Sequence, residues 1–378
     1  MKKILFDLLN AQPAGESKFH GGGEYIKLVF ENLINKYKNK CEIIAFYDNE
    51  KFIDEWIKQL IDKNSIKCYY IKHIEEIKNI FEKEKIDIYY SGLPYDLKEE
   101  YFKENIYKVG TIHGLRGVEK PLDKYTYLYF EENMYLKNII KDKINHSFKI
   151  NKNKYCDVIN LLDKIVCDSE HSKYSICNYY PSVSMNNVEI FYAPEKKVND
   201  IEVKEIKTEK YILLLGGDRW IKNSYRAIKA IEGLFDDGRL EDYKVTIVGK
   251  LPNKIMKKII HRDRYELLDY VETEKLEELY KNCDIFLYPS LNEGFGMPPL
   301  EAMKYGKTCV VSAVTSLPEV CGNAVYYTNP YDIYEIRNRI LMASEQKISK
   351  EIIKTQLNKI TKRQRDDIDR LCEYIIQL

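Results

Sequence analysis

Short apolar runs alternate along the chain with amphipathic stretches of helical period. From Glu24 to Tyr37, apolar residues follow the i, i+3, i+4, i+7 spacing that predicts an amphipathic helix. In the first half, the apolar runs predict β-strands at 3–9, 41–48, 66–72, 86–92, 108–114 and 164–170. Strands that alternate with helices predict a parallel sheet with right-handed crossovers.

One polar segment interrupts this alternation. Residues 194–210 have the composition of a linker, and the alternation resumes beyond them. The later strands are predicted at 211–217, 243–249, 265–271, 284–290, 308–313 and 324–329. We therefore expect an α/β protein with two Rossmann-like domains and a cleft between them. The predicted parts are an N-terminal domain (1–193), a linker (194–210), a C-terminal domain (211–347) and a helical tail (348–378).

Composition narrows the class of protein. A chain of 378 residues is long enough for two domains, and its formal net charge of +1 offers no global field for nucleic acid. No apolar run approaches the ~18 residues that a transmembrane helix needs. The nine cysteines show no C-x-x-C spacing, which argues against zinc and indicates free thiols. We expect a cytoplasmic protein.

Unusual residues follow four of the predicted strands, two in each predicted domain. In open parallel sheets, ligands bind beyond the carboxyl ends of the strands. One shared ligand site therefore explains the four segments more simply than four unrelated turns. The segments are HGGGEY (20–25), IHGLRG (112–117), GGDRWIKN (216–223) and LNEGFGMPPLEAM (291–303).

The first two segments suit a ligand but have plainer interpretations. Gly21, Gly22 and Gly23 precede the predicted helix, where bare backbone N–H groups can approach an anion. A flexible turn is the alternative for these glycines. His113 stands at a strand end beside a glycine, which favours a role in the cleft over that of a partly buried structural histidine.

Two cations in the third segment predict an anion site. Arg219 and Lys222 stand where a helix is expected to start, and cations are unfavourable there unless an anion lies between them. The alternative is a solvated helix start. The D-x-D at 367–369 lies in the charged tail and is interpreted as helix surface, so no metal site is predicted.

The fourth segment places two carboxylates on either side of a tight turn. Gly294 and Gly296 allow a sharp bend, and the prolines that follow suit the entry to a helix. Glu293 precedes the bend and Glu301 lies near the start of the helix, so both can face one elongated ligand. An acid that only complements the helix dipole is the alternative for Glu301.

The stretch EGFGMPPLEAMKYG (293–306) resembles the E-x7-E motif of the retaining glycosyltransferases of family 4. The resemblance is strongest over 211–340, weaker over 107–193, and confined to the glycine segment before residue 100. It implies the GT-B fold, in which two Rossmann-like domains face each other across a cleft. The helical tail is then expected to pack back on the N-terminal domain.

The resemblance also implies an activity. A UDP- or GDP-sugar on the C-terminal domain would give its sugar, with retention, to a glycan, lipid-linked or protein acceptor on the N-terminal side. The setting would be surface polysaccharide biosynthesis, without metal, cofactor or nucleic acid. A sugar-nucleotide epimerase on the same fold and a non-catalytic sugar-nucleotide-binding protein remain alternatives.

The resemblance implies a role for each strand-end segment. Glu293 would contact hydroxyls of the donor sugar, Lys222 and Arg219 would neutralise the diphosphate, and His113 would lie near the sugar. Arg219 stands closer to Lys222 than in the family pattern. The donor-binding residues would be Glu301, which holds the ribose diol, with Gly294, Phe295, Gly296, Met297, Gly21, Gly22, Gly23, Gly217 and Val271.

A lysine-rich stretch at 137–154 is the remaining candidate for a contact. Six lysines and one aspartate are interspersed with apolar residues there. This pattern suits peripheral contact with the inner face of a membrane, near a lipid-linked acceptor. A solvated lysine-rich surface is the alternative.

Overall fold

A computed structural model describes residues 1–13, 20–103, 105–120, 123–129, 137–195 and 209–378, with only the backbone for 137–147. Most of the predicted linker therefore lies outside the described residues. The chain forms two compact units. The first unit comprises Met1–Leu115, Lys149–Lys197 and Thr361–Leu378, and the second comprises Arg116–Phe148 and Val198–Ile360. Residues 116–148 thus belong to the second unit, although they lie within the predicted N-terminal domain.

Each unit contains one sheet, and every strand pair in both sheets is parallel, as predicted. The strands of the first unit are β1 (Lys2–Asp7), β2 (Cys41–Tyr47), β3 (Lys67–Tyr70), β4 (Ile88–Ser91), β5 (Tyr107–Thr111), β6 (Lys164–Cys167) and β7 (Val188–Ile190). Those of the second are β8 (Lys210–Leu215), β9 (Tyr243–Val248), β10 (Tyr265–Leu268), β11 (Ile285–Tyr288), β12 (Thr308–Ser312) and β13 (Tyr326–Thr328). Among the strands of the described residues, the hydrophobic pattern misses β7 alone, whose three residues are too few to show a period.

Helices connect the strands, as the sequence pattern predicts. They are α1 (Gly21–Tyr37), α2 (Glu55–Lys63), α3 (Ile77–Lys83), α4 (Arg116–Glu119), α5 (Lys137–Leu161), α6 (Glu170–Tyr179), α7 (Ser224–Asp236), α8 (Asn253–Met256), α9 (Thr273–Asn282), α10 (Met297–Lys304), α11 (Leu317–Cys321), α12 (Ile333–Glu345) and α13 (Lys350–Gln377). Among the described residues, no helix combines the length and apolar character that a membrane span needs.

The strand order places a topological switch point in each sheet. The orders are β3-β2-β1-β4-β5-β6-β7 in the first unit and β10-β9-β8-β11-β12-β13 in the second. In the second sheet the order reverses between β8 and β11, which are neighbours. Ligands of such sheets bind beyond the strand ends at this point. The segments after β8 and β11 carry Lys222 and Glu293.

The glycine segment forms the first turn of α1 rather than a flexible turn. His20 caps the helix, because its Nδ1 accepts a hydrogen bond of 3.0 Å from the backbone N of Gly23. A Cβ on Gly23 would lie 2.8 Å from the carbonyl oxygen of Ala11, and one on Gly22 would lie 2.8 Å from Leu93 Cδ1. These two glycines therefore let the helix start pack closely against its neighbours.

Residues 116–129 pack on the second unit through a buried ion pair. Arg226, in the first turn of α7, donates to both carboxylate oxygens of Asp123 at 2.9 and 2.8 Å. The two side chains are only 2% and 6% exposed. The guanidinium also lies 4.6 Å from the ring centroid of Tyr125. Tyr129 accepts a hydrogen bond of 2.9 Å from the backbone N of Tyr225, which satisfies an otherwise unpaired donor at the start of α7.

The end of the tail packs on the first unit, which confirms that prediction. The interpretation of 367–369 as helix surface is wrong for Asp367, which is buried and accepts a hydrogen bond of 3.0 Å from the backbone N of Tyr192. Arg363 and Arg370 pair with it, since they lie one helical turn away on either side. Asp369 pairs with Lys36 of α1.

The Asp123–Arg226 pair generates a stability prediction. Arg226→Met leaves a buried carboxylate without its partner, so we expect the free energy of unfolding of the second unit to fall by about 3–5 kcal/mol. Of the two tryptophans, Trp220 lies in the second unit. In a Trp56→Phe background, urea unfolding followed by the fluorescence of Trp220 measures this change.

An exposed pair in the same unit provides the control. Lys210 and Asp242 are 2.6 Å apart, but their side chains are 55% and 61% exposed. Lys210→Met should therefore cost less than about 1 kcal/mol. Equal effects of the two substitutions would contradict a structural role for the buried pair.

Candidate active site

The turn after β11 has a backbone that only glycine adopts easily. Gly296 has φ +105°, and a Cβ there would lie 2.6 Å from Leu317 Cδ2. The next residue, Met297, begins α10, whose first turn contains the two prolines as predicted. Any larger residue at 296 would therefore disturb the backbone that joins Glu293 to the helix.

Hydrogen bonds from the segment before α11 fix the turn. The Ser316 hydroxyl donates to the carbonyl oxygens of Glu293 and Phe295, at 3.0 and 2.9 Å. The backbone N of Glu293 donates to Thr315 Oγ1 at 3.0 Å. These hydrogen bonds hold the main chain at Glu293, and the main chain in turn positions the Glu293 side chain.

Lys222 is held close to the same strand. It ends a short 3-10 turn, Trp220–Lys222, between β8 and α7. The next residue, Asn223, has left-handed backbone geometry, and its side-chain amide donates to the carbonyl oxygens of Pro289 (3.0 Å) and Pro330 (2.7 Å). Gly216 leaves room for the lysine stem, because a Cβ there would lie 2.6 Å from Lys222 Cγ.

Lys222 and Glu293 form a buried ion pair. Their Nζ and Oε1 atoms are 2.7 Å apart, and the side chains are 10% and 8% exposed. The same Oε1 accepts hydrogen bonds from Tyr288 (2.8 Å) and Ser290 (2.5 Å). Lys222 also donates to the Tyr288 hydroxyl. Three donors thus converge on one carboxylate oxygen.

The pair perturbs the pKa of both groups. Burial alone would raise the pKa of Glu293, but Lys222 and Arg116 outweigh it and lower this pKa to about 2. Burial lowers the pKa of Lys222 to about 8, helped by Arg219 and Arg116 and opposed by Glu293. The carboxylate is therefore fixed in its ionised form, whereas the lysine keeps its proton only weakly. A bound anion would strengthen the hold of the lysine on this proton.

The other predicted residues of the second unit have the following positions. Arg219 is exposed, and a Cβ on Gly217 would lie 2.5 Å from the carbonyl oxygen of Gly249. Glu301, in the second turn of α10, accepts a hydrogen bond of 2.8 Å from the Tyr280 hydroxyl. Val271, Gly294 and Met297 are all partly exposed, the first in the connection from β10 to α9 and the others at the turn after β11.

His113 lies in the first unit and is held at both ring nitrogens. Nδ1 is 2.5 Å from Asp168 Oδ2, and Nε2 is 2.9 Å from the carbonyl oxygen of Gly92. Burial alone would lower the pKa of His113, but the Asp168 carboxylate outweighs it and raises this pKa. Because both neighbours are acceptors, the protonated ring can donate to both. His113 is thus suited to carry a positive charge rather than to accept a proton.

Several residues of these sites escape sequence reasoning. Tyr288 belongs to the apolar run of β11, so the pattern assigns it to the core, and Ser290 carries no motif of its own. Asp168 directly follows β6, and its position beyond a strand end is the signal that could have identified it. Arg116 stands in the second strand-end segment, but the sequence alone assigns it no role.

The structure brings Lys222 and Glu293 together in the second unit, whereas His113 and the glycine segment belong to the first. Within the described ranges, no group of three or more His, Cys, Asp or Glu residues could hold a metal ion. The predicted roles of these residues toward a donor stay predictions.

Comparisons with known proteins give a family for the region of the chain that contains this ion pair. Residues 196–363 match the family model described as glycosyl transferases group 1. The chain is 30% identical over 166 residues to the O-antigen chain mannosyltransferase RfbU of Salmonella typhimurium, covering 42% of this chain and 45% of RfbU. It is 46% identical over 85 residues to the O-antigen chain mannosyltransferase B of Escherichia coli, covering 22% of each.

A third relative is matched over a smaller share of its length. The serotype-specific mannosyltransferase WbdA of Escherichia coli is 42% identical over 78 residues, covering 21% of this chain and 10% of WbdA. The chain thus matches between 10% and 45% of the length of these three relatives.

Solved structures resemble the chain over its whole length. HepE from Anabaena, crystallised in complex with UDP, has a TM-score of 0.65 at 14% identity, with 100% of both chains covered. Sucrose-phosphate synthase from Thermosynechococcus elongatus has a TM-score of 0.63 at 13% identity, covering 100% of this chain and 97% of that one. These likenesses confirm the GT-B fold. The match to the group 1 glycosyl transferases covers the part of the chain that holds Lys222, Glu293 and Glu301.

Proposed function

We propose that the protein is a retaining glycosyltransferase that moves a hexose from a nucleoside-diphosphate sugar to a growing surface polysaccharide. The buried Lys222–Glu293 pair at the switch point of the second sheet is the observation that carries this proposal. Mannose is the first candidate for the sugar, because three of the relatives are named as mannosyltransferases. UDP and GDP are both candidates for the nucleotide.

The proposed reaction transfers the sugar without a protein nucleophile. The bond between the anomeric carbon and the β-phosphate oxygen breaks, and its electron pair stays on the phosphate. The acceptor hydroxyl forms the new bond on the same face of the sugar, and its proton passes to the departing phosphate oxygen. The products are a glycoside of unchanged anomeric configuration and a nucleoside diphosphate.

The charges of the site suit this departure. Lys222 and Arg219 would neutralise the charge that develops on the leaving diphosphate, and charge-assisted hydrogen bonds contribute about 1.5–3 kcal/mol each. Glu293 is ionised at every physiological pH, so it can accept hydrogen bonds from sugar hydroxyls but cannot protonate the leaving group. Glu301, further along α10, would hold the ribose diol.

The acceptor is proposed to be a glycan, free or lipid-linked, bound by the first unit. The protonated ring of His113 would lie near the donor sugar and help to stabilise the negative charge of the departing group. Contact of residues 137–154 with a membrane surface stays a prediction, because the side chains of 137–147 lie outside the described residues.

A donor assay tests the proposed function. We expect slow release of nucleoside diphosphate from one member of a panel of UDP-, GDP- and ADP-sugars that includes the mannose forms. Lys222→Ala should lower this turnover at least tenfold, because it removes a charge-assisted contact of roughly 1.5–3 kcal/mol. Glu293→Gln should lower it comparably.

Glu241→Gln, an exposed acid of the same unit, serves as the matched control and should leave turnover unchanged. Binding of a sugar nucleotide without turnover, even with glycan acceptors added, would favour the non-catalytic binding protein. An unchanged kcat/KM in Lys222→Ala would contradict the assignment of the diphosphate site.

The lowered pKa of Lys222 generates a separate prediction for binding. Below pH 8 the side chain is mainly the ammonium form, and this form is lost as the pH rises. The Kd for the nucleoside diphosphate should therefore rise roughly tenfold between about pH 7 and 9. Isothermal titration calorimetry at several pH values measures this change in Kd.

Lys222→Arg is the control, since its guanidinium stays charged throughout this range. Its affinity is expected to be lower than that of the wild type but independent of pH. A parallel rise in Kd for both proteins would assign the pH dependence to another group.

A further inference from the structure

Arg116 reaches the same ion pair from a different part of the sequence. Its Nη2 lies 3.7 Å from Glu293 Oε2, the carboxylate oxygen that Lys222 does not contact at hydrogen-bond distance. The Arg116 side chain is 39% exposed whereas that of Glu293 is 8% exposed, so the guanidinium lies nearer to solvent than the carboxylate. This separation is too long for a hydrogen bond. Glu293 therefore attracts Arg116 without satisfying its donors.

One donor of Arg116 has no acceptor among the described residues. Its Nε is buried and makes no hydrogen bond with any described residue. A buried N–H without an acceptor costs about 1–3 kcal/mol, so such a group in a native protein requires an explanation. A ligand that brings an acceptor oxygen to this position would remove the cost.

The charges around Lys222 are not balanced. Three charged side chains influence the pKa of Lys222 most: the carboxylate of Glu293 and the guanidiniums of Arg219 and Arg116. With Lys222 itself, the group contains three cations and one anion. The nearby carboxylate of Asp218 lies against Gly249, where a Cβ would come within 3.0 Å of its Oδ1. This excess of positive charge suits a ligand with at least two negative charges.

The residues that follow Arg116 attach its helix to the rest of the second unit. Within the second unit, Glu119 at the end of α4 accepts a hydrogen bond of 2.5 Å from Asn292, the residue before Glu293. Lys120 lies over the ring of Tyr331 at 4.4 Å, and Asp123 forms the buried pair with Arg226. The short helix with Arg116 is thus attached to the turn that carries Glu293.

We propose that Arg116 is a third cation of the diphosphate site and that it binds the sugar-bearing β-phosphate. This inference rests on the proposed function. It follows from the pairing with Glu293, because the carboxylate that contacts the sugar lies next to the phosphate that carries the sugar. Arg116 lies 3.7 Å from Glu293, within range of an electrostatic attraction. A bound β-phosphate supplies acceptor oxygens for the guanidinium of Arg116, including its Nε. Glu293 Oε2 is then free to contact the sugar.

The affinities for nucleoside diphosphates and monophosphates test this role. UDP, UMP, GDP and GMP are titrated against the full chain, and the nucleotide pair that the wild type binds more tightly is used. Arg116→Gln should weaken diphosphate binding about 10- to 100-fold, which corresponds to one charge-assisted contact. Monophosphate binding should change less than threefold, so the ratio of the two affinities falls. Arg116→Lys should restore part of the ratio, because it keeps the charge but not the fork of donors.

Arg262→Gln is the control. Arg262 is an exposed residue of the same unit that precedes β10, so it lies at the end of the sheet opposite to Lys222 and Glu293. This substitution should leave both affinities unchanged. An Arg116→Gln protein that loses diphosphate and monophosphate binding equally, or that keeps the wild-type ratio, would overturn the inference and leave the proposed function standing. A wild type that binds none of the four nucleotides would overturn both.

Discussion

The second unit is organised around a buried lysine and a buried glutamate that need each other. Each alone would carry a large desolvation cost, and together they place a fixed carboxylate and a weakly held ammonium 2.7 Å apart. Three neighbouring residues support this contact. Gly216 leaves room for the lysine stem, and Asn223 links the loop of Lys222 to the end of the strand before Glu293. Ser316 holds the turn that carries Glu293. Stability is better served by apolar residues at such a position, so the pair indicates a functional constraint.

The sequence predicts most of the fold and the centre of the site, for reasons that differ between elements. Parallel strands covered on both faces are continuous apolar runs, which is why β11 is recognisable from four residues. Glu293 and Lys222 follow such strands, and neighbouring strand ends meet at one edge of the sheet. Local chemistry therefore suffices to place them.

What escapes prediction depends on contacts between distant parts of the chain. The hydrophobic pattern counts Tyr288 as core because it cannot show that the hydroxyl reaches Glu293. The sequence predicts Asp367 to lie on a charged helix surface. It is buried instead, because the backbone amide of Tyr192 and two arginines compensate its charge. The helical start at Gly21 is hidden because glycine is a poor helix former, and the cap from His20 overrides that propensity.

The attachment of residues 116–129 to the second unit has a consequence for how such proteins can be recombined. The second unit is not a continuous piece of sequence, because Asp123 and Tyr129 contact the first turn of α7 from positions about a hundred residues upstream of it. A chimaera joined at the linker would pair Arg226 with a foreign segment and leave its charge uncompensated. Exchange of the second unit between relatives therefore requires a junction on each side of this short segment as well as one at the linker.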